Sequence, residues 1–83
     1  MKEVILDGNI LADKEKVHPY LKKMLGFPEY YGENLDGLAD CLSELNGMRI
    51  LISPADCDTD FLRRVLLIFK MAHIEGDISV EFL

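Results

Sequence analysis

Apolar and polar positions along the chain alternate with two different periods. Residues 2–6, KEVIL, read as a short strand closed by the turn signal Asp7-Gly8. From 14 to 25, Val17, Tyr20, Leu21, Met24 and Leu25 recur at helical spacing among Lys14, Lys16, Lys22 and Lys23, with Asp13 as the expected N-cap and Gly26 as the stop. Pro19 suits a first turn better than an interior, so the regular helix is expected to begin near His18. A second helix follows Asn34, its cap, with Leu35, Leu38, Leu42 and Leu45 as the buried stripe and Asn46-Gly47 as its end. Residues 49–53, RILIS, form a continuous apolar run, the pattern of a strand covered on both faces or nearly so. Beyond a polar turn at 54–60, a long helix over 61–74 turns Leu62, Val65, Leu66, Ile68, Phe69 and Ala72 inward and stops at Gly76. The closing DISVEFL alternates, offering Ile78, Val80 and Phe82 or Leu83 for burial.

The predicted order is β-α-α-β-α-β. Strands separated by helices require crossovers, so the expected fold is α/β: a small three-stranded parallel sheet packed with three helices. With 83 residues the chain is long enough for one core, and a single domain over 1–83 is expected. No apolar run reaches the roughly 20 residues of a membrane span. MKEVILDGNI has too short an apolar core for a secretory signal, so a cytoplasmic location is expected, with Cys41 and Cys57 as reduced thiols.

Charge adds a sharper feature. The net charge is −6, and it is unevenly placed: between Lys23 and Arg49 there is no Lys or Arg, yet Glu29, Glu33, Asp36, Asp40 and Glu44 lie there. This balance argues against direct nucleic-acid binding, which depends on Lys and Arg neutralising phosphates. Glu33, Asp36, Asp40 and Glu44 are three or four residues apart, along one side of the second helix or its entry. Such like-charge spacing destabilises a helix by about 0.2–0.5 kcal/mol per pair, and Gly37 costs about 1 kcal/mol more. A solvated acidic face would account for the charges alone. The preceding Phe27, Tyr30, Tyr31 and Gly32 change the balance, because aromatic anchors beside carboxylates with no Lys or Arg in the same segment describe a patch for a cationic partner.

Other constellations carry less. Asp56, Asp58 and Asp60 alternate as in a calcium loop, but Phe61 stands where glycine is needed and Leu67 where glutamate is, so capping of the next helix is the better reading. Cys41 with His18 or His73 is read as a buried structural cysteine rather than a nucleophile pair, and His73 as complementing a helix dipole. No metal, cofactor or catalytic set is expected.

The run from Phe27 to Leu42, FPEYYGENLDGLADCL, closely resembles the signature of the barstar family, intracellular inhibitors of barnase-type ribonucleases. Weaker likeness extends to Val4-Ile5, Leu21-Lys22-Lys23, Val65 to Gly76 and Asp77-Ile78. The resemblance implies a barstar-like fold and an inhibitor that binds a basic secreted ribonuclease one-to-one, as a monomer when free and without membrane contact. It implies that the loop and second helix plug the active site, with Asp40 where a substrate phosphate would sit and Tyr30, Gly32, Asn34, Leu35 and Asp36 around it. Tyr31, Ser43 and Glu44 complete the implied partner face. Ala39 and Leu45 occupy positions where the family has tryptophan, and Met71 one where it has glutamate, so these three belong to the face with altered chemistry. Two other readings stay open: a module of the same fold binding another basic protein, and a small acidic-site enzyme or metal binder.

Overall fold

The computed structural model describes residues 2–29 and 31–83. Three strands, β1 (Lys2–Leu6), β2 (Asn46–Ile52) and β3 (Asp77–Phe82), form one parallel sheet in the order β1-β2-β3. Helices α1 (Gly8–Leu11), α2 (Val17–Leu25) and α3 (Leu35–Ser43) connect β1 to β2, and α4 (Asp60–Glu75) connects β2 to β3. The α/β class and the three-stranded parallel sheet agree with the sequence reading.

The pleat sorts each strand. Val4 and Leu6, Met48, Ile50 and Ile52, and Ile78 and Val80 are buried beneath the helices, which contribute Leu11, Val17, Leu21, Leu25, Leu38, Leu42, Leu62, Val65 and Phe69 to the same core. The alternate positions are open. Ile5 is 58% exposed, and on β2, two residues before its partner Leu51, the half-buried Arg49 donates to Glu3 Oε2 (3.1 Å) and Glu81 Oε2 (2.9 Å), strapping all three strands. The expectation that β2 is covered on both faces is therefore corrected. Its run of apolar letters hid the polar signal of Arg49.

Four further differences have local causes. The described residues form four helices, because Asp7-Gly8 opens α1 instead of a simple turn: Asp7 Oδ1 accepts from the Asn9 N–H at 2.8 Å. Gly8 is needed there, since a Cβ would lie 2.2 Å from the Ser53 carbonyl oxygen. Asp13 does not cap α2. It accepts from the N–H groups of Glu15 and Lys16, closing a separate turn, and α2 begins at Val17 with Pro19 in its first turn. Thr59, not an aspartate, caps α4 through a 3.1 Å bond from Leu62 N–H, while Asp58 pairs with Arg63. Finally, α3 ends at Ser43 and β2 starts at Asn46, with Gly47 in the left-handed region (φ 62°) where the register with β3 shifts.

At the far edge, Phe82 and Leu83 remain exposed rather than buried, and Lys70 lies 5.6 Å from the Phe82 ring. His73 does more than face the end of α4. Its Nδ1 accepts the Val80 N–H at 3.1 Å, satisfying an outward-facing donor of the edge strand β3.

Candidate functional site

The acidic segment is built from α3 and the loop before it. Gly26 ends α2 in a left-handed conformation (φ 68°), and both its N–H and that of Phe27 return to the Lys22 carbonyl. This turn drives Phe27 into the core, where its ring meets Tyr31 edge-on at 4.9 Å. Tyr31 N–H then bonds the Pro28 carbonyl at 3.0 Å, and the Tyr31 hydroxyl reaches His18 Nδ1 on α2.

Asn34 locks this loop to α3 from both ends of its amide. Oδ1 accepts the Gly37 N–H at 2.7 Å, the N-cap expected from the sequence, and Nδ2 donates to the Gly32 carbonyl at 3.2 Å. Gly37 makes that closure possible. A Cβ at this position would sit 3.3 Å from Asn34 Oδ1 and from the Gly32 nitrogen, and 3.5 Å from the Tyr31 ring. The glycine that weakens α3 as a helix thus admits the loop. Between these fixed points Glu33 takes φ 51°, a left-handed conformation that favours glycine.

Below, α3 buries Leu38, Cys41 and Leu42; above, Glu33, Asp36 and Asp40 are exposed. Among the described residues none of these three acids is ion-paired, and the pairs that form lie elsewhere: Lys22–Glu29, Arg49 with Glu3 and Glu81, and Arg63–Asp58. Asp36, in the first turn, is favoured by the helix dipole, whereas Asp40 is too far along to gain from it. Burial, with Glu44 and Asp40 nearby, pushes the Cys41 thiol up, and Cys41 stays a core residue rather than a thiolate. Burial also raises the Tyr31 phenol, reinforced by Cys41 and Glu33, and lowers the His18 imidazole against a smaller opposing pull from Glu33.

The sequence-derived site residues fall into groups. Gly32, Asp36, Ala39, Asp40, Ser43 and Glu44 are exposed on α3 and its entry, and Ser43 Oγ donates to the Asp40 carbonyl at 2.6 Å. Ala39 and Ser43 meet Met71, distant in sequence, across a groove of about 420 Å³ between α3 and α4. Leu35 and Leu45 are half-buried against the core. Tyr31 is 4% exposed, so its side chain holds the loop from within. Asn34 is exposed, but its amide is engaged by the cap. Tyr30 lies outside the described residues. Sequence reasoning missed His18 and Phe27 as supports of Tyr31. Helical spacing carries no signal that joins residue 18 to residue 31.

Among the described residues no group of three or more His, Cys, Asp or Glu side chains is placed to hold a metal ion, and no helix is long and apolar enough to cross a membrane.

Over 43 residues the chain is 49% identical to a Bacillus subtilis (strain 168) protein named "Putative ribonuclease inhibitor YrdF", a match covering 52% of this chain and 47% of that protein. The chain thus spans about half the length of the curated relative it matches. A family model described as Barstar (barnase inhibitor) matches residues 1–72, which take in every strand and helix except β3 and the last turn of α4. That description is of an inhibitor and not of an enzyme. With most of its length matched, the chain belongs to the barstar family.

Proposed function

We propose that this chain is a cytoplasmic protein inhibitor that binds a basic, barnase-type ribonuclease one-to-one and covers its active site with α3 and the loop before it. The carrying observation is that Glu33, Asp36 and Asp40 stand exposed along one side of a tied-down loop and helix, with no Lys or Arg paired to them among the described residues. A ribonuclease cleft concentrates cations to grip phosphates. A preorganised row of carboxylates replaces those phosphate charges without an ordering cost at the moment of binding. In this reading Asp40 takes the place of a phosphate, Asp36 and Glu33 flank it, and the His18–Tyr31–Phe27 cluster keeps the loop in shape. Both cysteines act only as thiols.

Titration of a purified barnase-type ribonuclease tests this. Inhibition is expected to end at one equivalent, and Asp40→Ala is expected to weaken it more than any other single change in the acidic segment, by about 2 kcal/mol or more, because enzyme cations lose their partner. Wild-type inhibition by the Asp40→Ala protein overturns the phosphate-mimic role. A second reading, an interaction module for another basic protein, draws on Ala39 and Met71, which give the rim of the face an apolar groove. It prevails if basic ribonucleases remain fully active in the presence of excess protein.

A further inference from the structure

The groove between α3 and α4 is lined on one wall by Ala39 and Ser43 and on the other by Leu67, Met71 and Ala72, with Glu75 at its mouth. Its lining is mainly apolar, yet Leu67 is 57% and Met71 44% exposed. At about 420 Å³ it falls in the range of concave sites that accept an organic group. Ala39 directly precedes Asp40, so one wall of the recess and the acidic residues belong to the same helix, and Glu75 itself lines the recess.

We infer that this groove is a socket for one apolar, preferably aromatic, side chain of a cationic protein partner, flanked in that partner by basic residues. The inference rests on α3 being the partner-facing helix and adds what the partner must carry besides charge. Size and lining ask for an apolar group. Glu75 in the lining, and Asp40 next to Ala39 on the same helix, ask for positive charge near that group. The same carboxylates disfavour a second copy of this chain, which would bring its own Asp40 and Glu75 against them in a protein of net charge −6. An anchor residue seated in a dry recess and ringed by charge pairs is the usual anatomy of an interface hot spot. Ala39 and Met71 both line it, so substitutions at either change the space it offers.

The chain contains no tryptophan, so the fluorescence of a tryptophan-containing peptide reports on the peptide alone. Acetyl-Lys-Trp-Lys-amide is the probe. With the wild-type protein its emission is expected to shift to the blue and saturate, and acetyl-Lys-Ala-Lys-amide is expected to compete at least about tenfold less well, as a lost aromatic anchor implies. Ala39→Leu, a filling substitution at an exposed helical position, is expected to weaken probe binding at least about fivefold, and Met71→Glu to remove the blue shift. Equal binding by the wild-type and Ala39→Leu proteins, equal competition by the alanine peptide, or no binding at all overturns the socket. Sedimentation gives the other occupant its chance: a dimer that Met71→Glu dissolves puts a second copy in the groove and overturns the proposal too. Ribonuclease inhibition separates the two readings. Inhibition sensitive to Asp40→Ala, together with probe binding insensitive to Ala39→Leu, removes the socket and keeps the inhibitor. Probe binding lost in Ala39→Leu, without ribonuclease inhibition by the wild-type protein, keeps the socket and removes the inhibitor.

Discussion

The Tyr31 hydroxyl and Nδ1 of His18 share a hydrogen bond that joins the loop before α3 to the first turn of α2. The two rings meet edge-on at 5.7 Å. Phe27 supports Tyr31 from another side. The loop is therefore fixed from within by a buried aromatic residue, in addition to the exposed Asn34 amide that ties it to α3.

Burial holds the His18 imidazole below its ordinary value of 6.5. In the window beneath that value the unfolded chain binds the extra proton and the folded chain resists it, so stability rises with pH and is lost as pH falls. Urea midpoints are expected to drop between about pH 7.5 and about pH 5.5, and to drop less in His18→Gln, which lacks this group. Identical pH slopes in the two proteins would remove His18 from the linkage. At neutral pH, Tyr31→Phe is expected to cost about 1 kcal/mol through the lost hydrogen bond.

Glu33 holds a left-handed conformation with φ 51°. Glu33→Gly is expected to raise the stability of the free protein by up to about 1 kcal/mol, and Glu33→Val to lower it by more than that, since a β-branched side chain is worst placed there. Thermal or urea unfolding of the pair checks the sign. A less stable Glu33→Gly protein would mean that the carboxylate, not the backbone, dominates at this position.

Gly37 separates helix propensity from packing. On an open helix surface Gly→Ala gains about 1 kcal/mol. Here the added Cβ would press on Asn34 Oδ1 and the Gly32 nitrogen, each 3.3 Å away, so Gly37→Ala is expected to yield no gain. Asn34→Ala is expected to cost about 1 kcal/mol through the lost cap. Unfolding curves showing a full propensity gain in Gly37→Ala would sink the account of loop closure.

Asp36 and Asp40 are exposed one helical turn apart. If Asp40 serves binding, Asp40→Asn is expected to raise the stability of the free fold by a few tenths of a kcal/mol at low salt, through relief of like-charge repulsion. A loss of about 1 kcal/mol in the same urea melt would make Asp40 a structural residue.

Much of this architecture was legible in the sequence. The strands of the parallel sheet, the Asn34 cap and the buried Leu38 and Leu42 all follow from periodicity and local chemistry. What escaped depends on contacts distant in the chain. Gly8 reads as a turn residue until Ser53 is seen packed against it, and RILIS reads as covered on both faces until Arg49 is seen reaching Glu3 and Glu81. The acids and their spacing are visible as letters, but the His18–Tyr31 bond and the Ala39–Met71 groove are products of the fold. Motif likeness singled out α3 and its entry; only packing shows which of their residues look outward.

The sheet order has a kinetic consequence. Lys2 pairs with Met48, and Asn46 with Asp77, so no two neighbouring strands are joined by a hairpin. The first ladder bond between β1 and β2 closes a loop that contains α1, α2 and all of α3, and the entropy of that closure is lost before the sheet returns any of it. Every acid from Glu29 to Glu44 travels inside that loop. The frame that carries α3 is therefore completed only when the two ends of the loop meet, and a lesion in β1 reaches the acidic face through the rate at which that frame forms.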